Sequence, residues 1–185
     1  MSYKKMSFIS SIFLVIFLCV GVLWAESISN QIDDVMMNQL KSVFAGADSI
    51  KRYAIELPES DGDVFIQEIF QVFIEGEENG YIFKILSPGY RGDIVVLVAF
   101  SSKTNQIVGI QILEQSETPS LGDLITKPEF LIQFLKKSMN DQFELGGDIE
   151  AVSGATISSN AVAKACQKAA HFLLTIQAET ETDNN

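Results

Sequence analysis

The spacing of apolar residues changes character several times along the chain. Residues 8–24 (FISSIFLVIFLCVGVLW) are apolar almost without a break. As a helix rising 1.5 Å per residue they would reach about 25 Å, near the lower limit for crossing a bilayer. Between residues 26 and 44 the apolar positions Ile28, Ile32, Val35, Met36, Leu40 and Val43 fall three or four apart, which predicts an amphipathic helix. From Val64 onward aromatic and β-branched residues gather in short runs, at 64–74, 81–86, 93–100 and 107–113. Polar turn clusters separate them, Glu75–Gly80 and Ser101–Gln106 among them. Adjacent strands joined by such short turns predict an antiparallel sheet.

Helical spacing then returns. Thr126-Lys127-Pro128-Glu129 reads as a capping box opening a helix, with Phe130, Leu131, Phe134, Leu135 and Met139 on its inner face. Gly146-Gly147-Asp148 interrupts the chain, and Ala151–Thr156 reads as a turn. Ser158–Ile176 follows as a last helix with Val162, Cys166, Ala169 and Leu173 inward. Residues 178–185 are polar and read as a flexible tail. The expected fold class is α+β, helices packed on one antiparallel sheet.

Charge gives the apolar start a direction. Lys4 and Lys5 precede it and no Lys or Arg follows until Lys41, so the positive-inside rule leaves the N-terminus in the cytoplasm. The expected organisation is a cytoplasmic tail at 1–7, a transmembrane anchor at 8–25, an extracytoplasmic domain at 26–177 and the tail at 178–185. The competing reading is a signal peptide cleaved after Ala25, which would place bulky Leu23 at the −3 position.

Composition narrows the function. The 185 residues are 47% hydrophobic, enough for a packed core and against a disordered chain. Lys and Arg number 13 against 24 Asp and Glu, a net charge of −11. That repels phosphate backbones, and no basic stripe is evident in the sequence to offset it, which argues against a nucleic-acid partner. Two distant Cys and a single His cannot build an ordinary zinc, iron–sulfur or haem site. Redox chemistry here would need an organic cofactor. A hydrolytic nucleophile is equally unsupported, because His171 lies fifteen residues beyond Thr156 on the same expected helix, about 22 Å along its axis.

Two segments stand apart from the scaffold. Ser153-Gly154-Ala155-Thr156-Ile157-Ser158-Ser159 brings four hydroxyls to a helix start. Read by itself it is either a hydroxyl-rich cap or an anion site, since a helix start offers unpaired N–H groups. Glu117-Thr118-Pro119-Ser120-Leu121-Gly122-Asp123 follows the last strand, and by itself it is either a connecting loop or part of a site.

Together they carry a resemblance. The 153–159 segment resembles the S-G-A-T-x-[ST] motif of the family that carries FMN in phosphodiester linkage to that threonine. The 117–123 segment is similar to the family's E-T-P-G-L-G loop. Gly89-Tyr90-Arg91-Gly92-Asp93-Ile94 is similar to its G-Y-x-G-x-I segment. Order and spacing also resemble the G-subunit family of the Rnf electron-transport complex. The C subunit of the Na⁺-translocating NADH:quinone reductase is the related alternative, and an anchored flavin-binding sensor or scaffold is a third.

The resemblance implies covalent FMN on Thr156, attached by a separate Mg²⁺-dependent flavin transferase that uses FAD and releases AMP. It implies cofactor contacts from Ser153, Gly154, Ala155 and Ser158, and from Glu117, Thr118, Leu121 and Gly122, with Leu121 packing on the ring. It further implies an electron carrier of a ferredoxin/NAD-type complex in the cell membrane, coupled to Na⁺ or H⁺ movement and assembled with other membrane subunits. Two departures from the pattern are Ser120 in place of glycine and Gln115 in place of a common His. Arg91, Lys84 and Lys164 are the cations that would stabilise a reduced, anionic flavin if one lay beside the ring.

Overall fold

The aromatic and β-branched runs pair as their patterning dictates. The computed structural model describes residues 32–55 and 63–183. Its strands are β1 (Ser49–Arg52), β2 (Phe65–Ile74), β3 (Glu77–Pro88), β4 (Asp93–Ser101) and β5 (Gln106–Glu114). They lie in the order β1-β2-β3-β4-β5 with every neighbouring pair antiparallel. The α+β reading therefore holds for the described residues, and the strands expected at 64–74, 81–86, 93–100 and 107–113 all form.

The central strands are buried on both faces, which is why β4 reads as an unbroken apolar run. Phe83, Ile85, Val96, Val98 and Phe100 point to one side, and Ile82, Leu97 and Ala99 to the other, all without solvent exposure. A long helix, Thr156–Asp183, covers the first side. Its Val162, Cys166, Ala169 and Leu173 are buried as their spacing predicts, and Phe172 meets Phe83 edge-on at 6.3 Å between ring centroids. Each such side chain removed from water contributes about 1.5–3 kcal/mol for the larger apolar residues. Burial also pushes the Cys166 thiol well above its ordinary value, so Cys166 is a packing residue and not a nucleophile.

Helix α1 (Asp34–Val43) serves the second side through Leu40 and Val43, with Phe44 just beyond its end. The sheet makes room with glycine. A Cβ on Gly109 would stand 1.8 Å from the Val43 carbonyl oxygen, and one on Gly80 would stand 2.6 Å from the Phe44 ring. Val35, expected in the apolar stripe, is instead 70% exposed.

The long helix, α3 once the short α2 (Pro128–Leu131) is counted, continues past the expected Ile176 to Asp183. The helix expected from the 126–129 capping box is corrected more sharply. Only α2 and one 3-10 turn, Ile132–Phe134, form. Lys127 occupies the cap position without a side-chain bond, and Thr126 instead donates to the Asp123 carbonyl. The chain leaves the helix because β5 competes for its backbone. Lys136 N–H donates to the Ile107 carbonyl and Ile107 N–H donates to the Lys137 carbonyl, both at 2.8 Å. Lys136 turns through φ +65° to make that pairing, and Leu135, expected inside, is 39% exposed.

The anchor expected at residues 8–25 lies outside the described residues. Among the described residues no helix is long and apolar enough to cross a membrane.

Asp148 closes the turn that leads into α3. Its carboxylate accepts from Glu144 N–H at 2.7 Å, Phe143 N–H at 3.3 Å and the Lys137 ammonium at 3.0 Å. Partial burial opposes its ionisation, but Lys137 and the two N–H donors outweigh that and hold the carboxyl below the usual range. A folded value below the unfolded one gives stability that is present above the unfolded pKa and is lost as pH falls through the folded pKa. Asp148→Asn should cost about 1 kcal/mol at neutral pH and flatten the acid limb of a thermal-midpoint profile. An acid limb as steep as that of the parent protein would contradict this role.

Candidate functional site

The three motif segments meet at the end of the sheet where β3 passes into β4. Tyr90 comes from the β3–β4 turn, Glu117, Thr118, Leu121 and Gly122 from the segment after β5, and Gly154–Ser158 from the entry to α3. They enclose a cavity of about 400 Å³, within the range of small-molecule sites.

Glu117 holds the segments together. It is 5% exposed. Its Oε2 accepts a short hydrogen bond from the Ser158 hydroxyl, and its Oε1 accepts from Arg91 N–H at 3.0 Å. One side chain thereby ties the loop after β5 to the helix entry and to the β3–β4 turn. Its own N–H donates to Gln115 Oε1 at 2.6 Å, so Gln115 acts as a loop brace. A Cβ on Gly122 would lie 2.8 Å from Glu117 Oε2, and one on Gly89 would lie 2.5 Å from Oε1. The motif glycines therefore leave the space that the carboxylate fills.

The loop hydroxyls divide their work. Ser158 is spent on Glu117, and Ser159 Oγ accepts from Val152 N–H at 3.0 Å, closing the turn before α3. Ser153 is exposed and is not part of the cavity wall. Among the described residues the Thr156 hydroxyl has no hydrogen-bond partner within the protein, and Thr156 is both exposed and part of the wall. Gly154 turns through φ +76°, and a Cβ there would stand 2.7 Å from Leu121 Cδ1. Position 154 thus brings the helix entry against the Leu121 loop, with Ala155 buried behind it.

The rim is apolar and open. Tyr90 is 68%, Leu121 42% and Ile157 54% exposed, and all three line the cavity. Large apolar side chains grouped around a cavity mark a surface that something else covers. Tyr90 and Ile157 are walls that the sequence named only as parts of motifs.

The remaining candidates separate cleanly. Lys84 pairs with Glu68 at 3.3 Å. Arg91 joins the site through its backbone N–H. Lys164 lines a second groove along α3 that shares Ile157 with the cavity. His171 is exposed and on the same helix as Thr156, fifteen residues on. Ser120, the departure from glycine, adopts φ +60°, a left-handed conformation that glycine takes more readily.

Glu117→Ala would leave the Arg91 N–H and the Ser158 hydroxyl without their acceptor and would open a void beneath Gly122. A loss of about 2–4 kcal/mol is expected, measured by denaturant unfolding with unchanged slope. A loss below about 0.5 kcal/mol, the level of an ordinary surface change, would show that Glu117 does not organise the site.

Comparison with known proteins agrees with the motif reading. Residues 89–171 match the FMN-binding domain family. The chain is 38% identical over 117 residues to the G subunit of the ion-translocating oxidoreductase complex of Methanosarcina acetivorans, a match covering 62% of each chain. It is 31% identical over 132 residues to the corresponding G subunit of Haemophilus influenzae, covering 66% of this chain and 63% of that one. Each match spans a little under two thirds of the relative's length. Among solved structures, NqrC of Shewanella oneidensis aligns over 54% of this chain and 53% of its own, with a TM-score of 0.46 and 28% identity. Residues 89–171 thus match the FMN-binding domain family, within a chain that resembles the G subunits of ion-translocating oxidoreductase complexes.

Proposed function

We propose that this chain is an electron-carrier subunit that holds FMN covalently through its phosphate on Thr156, within a membrane complex coupling electron transfer to ion translocation. The observation that carries the reading is the convergence of three motif segments on one cavity whose wall includes an exposed threonine hydroxyl with no hydrogen-bond partner among the described residues. The chemistry of the wall fits the group. Leu121, Ile157 and Tyr90 offer an apolar rim for a flat ring, and the start of α3 suits a phosphate ester.

In the attachment step Thr156 Oγ attacks the FMN phosphorus of FAD. The new P–O bond forms as the pyrophosphate P–O bond breaks, AMP leaves, and the hydroxyl proton passes to solvent or to the transferase. A Mg²⁺-dependent flavin transferase is the partner for this step. Once bound, FMN supplies one-electron redox chemistry. The protein's own residues do the remainder. Glu117 fixes the helix entry, Gly154 sets its approach to Leu121, and the apolar rim keeps water from one side of the ring.

The other proposed partners are the membrane subunits of the complex, with ferredoxin/NAD-type electron transfer and residues 8–25 as the anchor facing the domain outward. Tethering suits a domain outside the cell membrane, because a covalent link keeps the local cofactor concentration far above what free diffusion sustains.

The chain should be coexpressed with a flavin transferase, denatured in SDS and examined for flavin fluorescence on the protein band. The parent chain is expected to fluoresce, and Thr156→Val to be dark with an unchanged circular dichroism spectrum and melting temperature. A dark parent band beside an active control substrate would overturn the reading, as would a fluorescent Thr156→Val band.

A further inference from the structure

The cavity continues beyond its own wall. Ile157 belongs to its wall and also to that of a larger groove, about 700 Å³, running along the outer face of α3. Asn160, Lys164, Lys168 and His171 follow Ile157 in this groove at helical spacing, with Asp63 on its lining as well. Its two lysines, Lys164 and Lys168, outnumber its one carboxylate, a local exception in a chain of net charge −11 that no run in the sequence advertises. Neither Lys164 nor Lys168 forms an ion pair among the described residues. Among the described residues the cavity wall carries no cationic side chain, and its acidic side chain is Glu117.

We propose that Lys164 faces the polar pyrimidine edge of the tethered FMN and sets its redox potential by stabilising the reduced, negatively charged ring. This rests on the attachment at Thr156. Lys164 is eight residues beyond Thr156, about 12 Å along the helix axis, a span comparable with a ribityl chain and the ring behind it. Ile157 and Leu121 receive the apolar part of the ring, and the groove leads its polar edge away from Glu117 towards the ammonium. Lys168, one further turn away at about 18 Å, acts more weakly. Lys84 is committed to Glu68. Lys164 is a positioning and tuning residue, and it takes no part in bond making.

The test uses the full chain, flavinylated by a transferase, with the midpoint potential read by spectroelectrochemical titration. Lys164→Gln is expected to shift the reduced-to-oxidised ratio at fixed potential about tenfold towards oxidised, which is about 59 mV more negative for a one-electron couple. Lys168→Gln should shift it less in the same direction, and Lys164→Arg should restore the parent value. Lys103→Gln, in the β4–β5 turn at the far end of the sheet, serves as the control for net charge. A Lys164→Gln potential no different from that of Lys103→Gln, or an arginine variant that fails to restore it, overturns the proposal. Covalent flavin is measured on the same samples. A fluorescent parent band with an unmoved Lys164→Gln potential therefore refutes this inference alone, whereas a dark parent band refutes both it and the attachment at Thr156.

Discussion

A buried carboxylate needs partners for both its oxygens, and Glu117 finds them on two other segments of the chain. Ser158 supplies one at the start of α3 and Arg91 N–H the other in the β3–β4 turn. Burying such a group without donors costs several kcal/mol, so the three segments are coupled, and loosening one exposes the carboxylate to an unmet demand. The motif glycines at 89 and 122 follow from the same constraint, because a side chain at either would occupy the space of the Glu117 carboxylate. Conditions separate in sequence are one condition in space.

The helix that completes the site also completes the core. Val162, Cys166, Ala169 and Leu173 anchor α3 to β3 and β4, so the position of Thr156 is set by the apolar packing of the helix behind it. The outer face of the same helix is then free for chemistry. That division puts an exposed threonine hydroxyl at the first residue, an apolar shelf at Ile157 and two lysines beyond it. A redox group held there would meet packing at one end and charge at the other.

The sheet was legible because β2 to β5 are long, rich in β-branched and aromatic residues, and separated by clear turn clusters. β1 was not, since SIKR is four residues with one buried side chain, Ile50, and it exists only because β2 offers it an edge. The helix after Pro128 failed for a related reason. Its apolar spacing is real, but the hydrogen bonds that Ile107 of β5 exchanges with the Lys136 N–H and the Lys137 carbonyl outweigh a local preference worth a few tenths of a kcal/mol per residue. At the site, the motif residues around Thr156 and Glu117 could be named from sequence by resemblance. Their mutual arrangement could not, because the Ser158–Glu117 bond spans 41 residues and the two lysines of α3 are scattered among neutral residues. Long-range pairing and charge at helical spacing emerge only once the helix has a defined face.

The central claim is that the fold sets Thr156 apart from the other hydroxyls of its loop. Fragmentation mass spectrometry of the 153–159 peptide from the flavinylated protein tests it most directly, because Ser153, Thr156, Ser158 and Ser159 lie within one fragment series. The account predicts a single FMN adduct, wholly on Thr156. An adduct on Ser153, or one shared with the serines bonded to Glu117 and Val152, would contradict it.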